Sequence, residues 1–268
     1  MNVTLNEFSA ASKDDWKARL AKDLKGITFE DLTTTDANGI AIAPFYTATD
    51  AVTPITTTTQ NDWDIVVNID VKDVATANQA ALEQLQGGAT GIRFIIHEPI
   101  DIAALLENID VQYIHTSFVV DATMNPEDFA NNLKAFCSIN GCKWNNCNMA
   151  VEYDTIAYAL EYQTAIELEP FVEFIDAADG IYTITVNGDV YQNAGANSAT
   201  QLALIAAHLN EYLQTLKDID RLHHVTHIKI NTAVSTAYFE EIAKLRALQT
   251  IVANVIAAYD IQPKVAIN

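Results

Sequence analysis

Positive charge is scarce in this sequence. Its 268 residues carry 15 Lys and Arg against 35 Asp and Glu, a formal charge of −20. A field of that sign repels phosphate backbones and anionic lipid surfaces, which argues against nucleic-acid and membrane partners. It would also repel an anionic small-molecule ligand unless basic side chains gathered at one mouth of a pocket, and along the chain they are dispersed. Cysteine is scarcer still, with Cys137, Cys142 and Cys147 at five-residue intervals. An odd count, without an apolar signal segment at the N-terminus, points to a reducing, cytoplasmic compartment. Long apolar runs are missing as well. Stretches such as Ile251 to Ala258 fall short of the about 20 residues that a helix needs to cross a bilayer.

What remains is the composition of a globular protein, with 50% hydrophobic and 19% charged residues. Apolar area on that scale offsets chain entropy. The length suits one large core, since an α/β barrel commonly takes about 250 residues.

Ser12 ahead of Lys13-Asp14-Asp15 reads as a helix start, and Trp16, Leu20 and Leu24 follow at helical spacing as far as Gly26. Ile40 to Tyr46 reads as extended and is interrupted at Pro44. Thr47 to Gln60 is rich in threonine and contains Pro54, the composition of an arm or linker. From Trp63 onward, short β-branched runs alternate with helical stretches, the pattern of βαβ units and a parallel sheet. Seven strands are expected: Trp63 to Ile69, Gly91 to His97, Gln112 to Val120, a weak one at Asn148 to Glu152, Gly180 to Val186, His227 to Ala233 and Lys264 to Ile267. The clearest helices are Val74 to Gln86, Pro126 to Phe136, Ser198 to Leu216 and Ala237 to Tyr259. An eight-stranded barrel closes by pairing its eighth strand with its first. Here the sequence ends in the seventh, so closure must be made differently or something else must cover the open edges.

Several segments, in order, resemble the barrel domain of the methylmalonyl-CoA mutase family, and especially its small subunits. They begin with Trp16…Leu20-Ala-Lys22-Asp-Leu24-Lys-Gly26…Phe29-Glu-Asp-Leu32 and continue with Gly39-Ile40-Ala-Ile42-Ala-Pro44-Phe45-Tyr46. Next come Trp63-Asp-Ile65, Ala77-Asn78…Ala81-Leu82…Leu85…Gly88-Ala89-x-Gly91-Ile92-x-Phe94, and Ala194-Gly195-Ala196-Asn197…Gln201-Leu202-Ala203…Glu211-Tyr212-Leu213. Phe239-Glu-Glu-Ile242-Ala243-Lys244-Leu245-Arg246-Ala247-Leu248 closes the set, while residues 98 to 175 match poorly.

The resemblance implies a TIM-type (β/α)8 barrel over 61–268, incomplete after about seven strands. An N-terminal helix and arm over 1–60 would contact a partner subunit through Trp16, Phe45 and Tyr46. In catalytic subunits of the family a Gly-Tyr-His segment leads into Ala-Gly-Ala, and its histidine lies over the cobalamin. At the matching place this sequence reads Gly188-Asp189-Val190-Tyr191-Gln192-Asn193, so Val190 stands at the histidine position and Asp189 at the tyrosine position. A valine has no donor with which to polarise a thioester carbonyl. Trp63 to Asp70 also lacks the tyrosine that shields the radical in that family. None of the six histidines lies in the Asp-x-His-x-x-Gly pattern of a cobalamin domain. Asp189, Val190, Tyr191 and Asn193 are therefore expected to be a degenerate active site with no catalytic residue. The implied chain is a non-catalytic small subunit that binds no cofactor itself. Its large, catalytic partner would carry adenosylcobalamin and interconvert methylmalonyl-CoA and succinyl-CoA in a heterodimer of propionate metabolism. The alternative is a self-associating decayed barrel, a homodimer, that binds a small ligand outside that complex.

Other residues invite sharper readings. The three cysteines around Trp144 fit zinc poorly, because zinc wants four ligands at closer spacing. His223, His224 and His227 read as loop and strand-start histidines with no carboxylate or cysteine nearby in sequence. Lys244 and Arg246, with Glu240 and Glu241, read as solvated pairs on a helix. Ala194 to Asn197 could offer N–H groups to a phosphate, but the resemblance implies that it is chiefly a close-packing turn. Asp189 with Glu152 or Asp154 would be a chance pairing among many acids.

Overall fold

The computed structural model describes residues 11–50, 63–141, 148–178 and 184–268. The chain divides into two compact units, Met1–Ile55 and Thr56–Asn268.

In the first unit, helix α1 (Lys13–Asp23) starts at a capping box: Ser12 accepts from the Asp15 N–H while the Asp15 carboxylate accepts from the Ser12 N–H. Two two-residue strands, β1 (Thr34–Thr35) and β2 (Ala41–Ile42), pair antiparallel around a turn at Asp36 to Gly39. Trp16 packs between Phe29 and Phe45, with ring centroids 6.0 and 5.0 Å away. The Tyr46 hydroxyl accepts from the Ala43 N–H, and Phe45 and Tyr46 are exposed.

The second unit is mixed α/β with parallel sheets. Strands β3 (Val66–Val71), β4 (Gly91–Ile96), β5 (His115–Val120) and β6 (Met149–Glu152) form one sheet in that order. Strands β7 (Ile184–Asn187), β8 (His227–Asn231) and β9 (Lys264–Ile267) form a second. Between them run α2 (Val74–Gln86), α3 (Ile102–Leu105), α4 (Pro126–Ile139), α5 (Thr155–Tyr162), α6 (Glu169–Ala177), α7 (Asp189–Asn193), α8 (Ser198–Asp218) and α9 (Tyr238–Ala257). Each expected strand and helix is present, some with different ends: β3 runs on to Val71 and α4 to Ile139, while β8 stops at Asn231. The third strand starts at His115 because Asp110 to Tyr113 closes a turn. The start of the fifth expected strand, at Gly180, lies outside the described residues.

No closed barrel is seen, and β6 and β7 share no ladder among the described residues. A side chain intervenes there: Asp154, just past β6, accepts the Asn187 N–H at 2.7 Å, so that donor is spent on a carboxylate.

Alternation along the strands sets two faces. One is apolar and buried, with Ile69, Phe94, Phe118 and Val151 in register across the first sheet and Ile228 and Ile230 in the second. The helices cover it, as where Phe129 of α4 meets Phe118 at 5.5 Å. The other face is largely polar. Asn68, Arg93 and Ser117 lie in one row, Asp70 and Glu152 in the next, and Thr185, Asn187, Lys229 and Asn231 on the second sheet.

Candidate functional site

The two polar faces meet through Glu152. This carboxylate, fully buried on β6, accepts from Arg93 Nε at 3.0 Å and Nη2 at 2.8 Å on β4. From β8 it accepts from Lys229 Nζ at 2.6 Å and Asn231 Nδ2 at 2.8 Å. Burial alone would push Glu152 up, but Lys229 and Arg93 outweigh it and hold the carboxyl at about 2. Lys229 is as enclosed as its partner. A cavity of about 1100 Å³ adjoins this cluster, lined by Arg93, Lys229 and Asn231 together with Asn68, His115 and Asp189.

A second buried network fixes the turn after β7. Asp154 Oδ1 accepts from the Ala157 N–H at 2.9 Å, capping α5, and from the Tyr212 hydroxyl at 2.8 Å. His208 Nε2 stands 3.0 Å from the same oxygen, and His208 Nδ1 stands 3.0 Å from the Tyr191 hydroxyl. An ionised carboxylate only accepts, so the ring proton belongs on Nε2. Burial pushes Asp154 up, yet the facing His208 wins and its carboxyl lies below the usual range. Burial, reinforced by the Asp154 charge, raises Tyr191 to about 12 and raises Tyr212 as well.

The four candidate positions of α7 thus diverge. Asp189 lines the cavity, and its Oδ1 is buried without a hydrogen-bond partner. Val190 is half-buried and packs into the core, Tyr191 is turned inward onto His208, and Asn193 is exposed. The carboxylates weighed against Asp189 have other commitments: Glu152 holds two cations, and Asp154 holds His208 and Tyr212.

Gly188 opens α7 where β7 and α8 crowd together. A Cβ there would lie 2.4 Å from Ile205 Cδ1 and 3.0 Å from the Asn231 carbonyl oxygen. Gly188→Ala should therefore destabilise by about 1–3 kcal/mol, the cost of overpacking, seen as a lower midpoint in urea. The following Ala194-Gly195-Ala196-Asn197 turn is structural: Gly195 has φ +92°, and Asn197 caps α8 by accepting from the Thr200 N–H at 2.9 Å.

Lys244 corrects the reading of a solvated helix pair. It is buried, donates to the Ala233 carbonyl at 2.7 Å, and meets Glu241 at 2.6 Å. Glu241 in turn accepts from the Ser235 N–H, so the pair ties the loop after β8 to α9. Arg246 is exposed. His224 stands 3.6 Å from Asp176, the His223 ring lies tilted against His224 with centroids 4.1 Å apart, and His227 bonds Thr226. Cys137 is buried in α4, while Cys142, Trp144 and Cys147 lie outside the described residues. Among the described residues no helix is long and apolar enough to cross a membrane.

Residues 88–267 match the family model described as Methylmalonyl-CoA mutase. The chain belongs to the methylmalonyl-CoA mutase family. Two curated mutase relatives match over most of its length, and both are named as methylmalonyl-CoA mutase small subunits. The one from Porphyromonas gingivalis (strain ATCC BAA-308 / W83) is 28% identical over 285 residues, covering 97% of this chain and 46% of the relative. The one from Streptomyces virginiae is 24% identical over 282 residues, covering 93% of this chain and 46% of the relative. The chain therefore spans about half the length of the curated mutase subunits it matches.

Sequence reasoning missed the Glu152 cluster. Its signal lay in the strands themselves, where polar residues alternate at period two: Asn68-x-Asp70, Thr185-x-Asn187 and Lys229-x-Asn231.

Proposed function

We propose that this chain is a non-catalytic small subunit that stabilises a large, catalytic methylmalonyl-CoA mutase subunit in a cytoplasmic heterodimer. The large subunit would carry adenosylcobalamin and interconvert methylmalonyl-CoA and succinyl-CoA. The observation that carries this reading is the turn after β7. Val190, at the place where the family's catalytic histidine is expected, packs into the core, and Asp189 alone of the α7 candidates reaches the cavity. A valine and a carboxylate offer neither the donor nor the neutral surface that a cofactor and a thioester carbonyl require, so these residues do not fit cobalamin chemistry. The names of both relatives support the small-subunit role.

We read the two sheets as consecutive strands of an incomplete (β/α)8-type barrel. Arg93, Glu152 and Lys229 come from every second strand and meet in the interior, as side chains of one barrel layer do. The first unit, which buries no side chain in α1 or its strands, is read as the arm that docks on the partner through Trp16, Phe45 and Tyr46.

The test is size-exclusion chromatography with light scattering on this chain, alone and mixed with the large mutase subunit from the same source. Adenosylcobalamin-dependent isomerase activity is assayed on each peak. An active heterodimer peak, with no activity from this chain alone, is the expected result. A homodimer that ignores the large subunit would overturn it in favour of a self-associating barrel that binds a small ligand, the reading that the 1100 Å³ cavity favours.

A further inference from the structure

Past β6 the chain turns through α5 and a loop into α6, and three large apolar side chains on that path face solvent. Leu160 is 48% exposed, Tyr162 57% and Ile166 52%. Their positions are set: α5 ends at Gln163 in the left-handed region, φ +54°, and the Gln163 and Thr164 N–H groups both donate to the Ala159 carbonyl. The Tyr162 ring lies 4.5 Å from that of Tyr158, centroid to centroid. Just beyond, Glu167, Leu168, Glu169, Pro170 and Glu173 line a cavity of about 490 Å³.

The charge around these residues is of one sign. Residues 144–216 contain ten Asp and Glu and no Lys or Arg. Internal pairing removes only part of that excess, since Glu152 and Asp154 are buried in their clusters and Asp176 is held by Arg221. Glu161, Glu167, Glu169 and Glu173 have no ion-pair partner among the described residues. The helices packed on α6 do not offset them: α4 adds Glu127 and Asp128 to its one base, Lys134, and Lys217 of α8 lies over the Tyr259 ring. The carboxylates converge. Burial first, then Glu167, Asp121 and Glu173, push the buried Tyr153 phenol up to about 12, and Glu161 chiefly raises Tyr162.

We propose that this surface docks a basic amphipathic helix of a partner protein, its apolar stripe on Leu160, Tyr162 and Ile166 and one arginine or lysine in the cavity among Glu167, Glu169 and Glu173. Helices and a loop form the surface, so it presents no row of strand backbone groups to an extended segment. Apolar anchors interleaved with carboxylates match a narrow apolar stripe bordered by bases. Leu168 and Pro170 receive the stem of a long basic side chain while the carboxylates meet its charge. The docking surface shares no residue with the contact assigned to the large subunit.

The experiment is fluorescence anisotropy on the whole chain with a labelled peptide of about sixteen residues, leucine on one helical face and arginine and lysine on the others. A chain of charge −20 attracts any cationic peptide, so the controls decide. Removing three charges at the cavity, by Glu167→Gln, Glu169→Gln and Glu173→Gln, should weaken binding about tenfold or more, and so should Tyr162→Ser with Ile166→Ser. Removing three charges elsewhere, by Glu83→Gln, Glu107→Gln and Glu211→Gln, should change it less than about twofold. All six glutamates are exposed, so the variants keep the fold. A scrambled peptide of the same composition should bind about tenfold more weakly. Equal loss in the two charge triples, equal binding of the scrambled peptide, or no binding would overturn the proposal. Spermidine competing at the peptide's own affinity would overturn it too, by making a small polycation the occupant.

Discussion

Glu152→Gln should lower the stability of the larger unit by about 3–5 kcal/mol, measured by urea denaturation at neutral pH. The glutamine keeps the volume but removes the charge that Arg93 and Lys229 share. Two cations then stay in the interior, one of them wholly enclosed, with no counter-charge between them. Taking ions out of water is costly, and an orphaned charge leaves that cost unopposed. The companion result separates pairing from packing. Replacing Arg93, Glu152 and Lys229 together by apolar residues of similar size should cost far less than the single change, because no charge is left stranded.

The cluster also sets an acid limit. Glu152 is held at about 2 against an ordinary value of 4.5. A carboxyl depressed in the folded state contributes its stability above its unfolded value and loses it as pH falls through the folded one. Stability should therefore decline from about pH 4.5 downward and lose this contribution, on the order of 3 kcal/mol, by about pH 2. In Glu152→Gln that part of the decline should vanish from a pH series of urea midpoints.

Asp154→Asn is the second large effect, with an expected loss of about 3 kcal/mol or more. Asp154 receives four donors: two backbone N–H groups, His208 and Tyr212. An amide can accept at its oxygen only, and its NH₂ must then face a donor, so at least one buried N–H or O–H goes unpaired. The disturbance should spread to α7, since His208 links Asp154 to the Tyr191 hydroxyl. Hydrogen exchange in α7 and at the start of α5 should speed up together. A variant that loosens α5 alone would show that the histidine link carries no weight.

The alternation of apolar runs made the seven strands and four longest helices legible in the sequence, because burial under helices imposes that pattern. The shorter helices α5 and α6 were not legible: each buries its apolar residues within two or three turns, too few to show a period. The break between the sheets was hidden too, because it depends on where the Asp154 carboxylate falls in space. So was the interior cluster. Arg93, Glu152 and Lys229 are separated by scores of residues, and nothing in the order of a chain says which charges will face one another across two sheets. Lys244 shows the same gap, since spacing on a helix makes it a pair for Glu241 but does not tell that both are buried.

The smaller unit has a thermodynamic consequence. Neither α1 nor the two short strands bury a single side chain, so local opening there costs little. A denaturation curve will then weigh the larger unit almost alone. Its m-value should be that of a shorter chain, because α1 and the two short strands expose little additional surface when they let go.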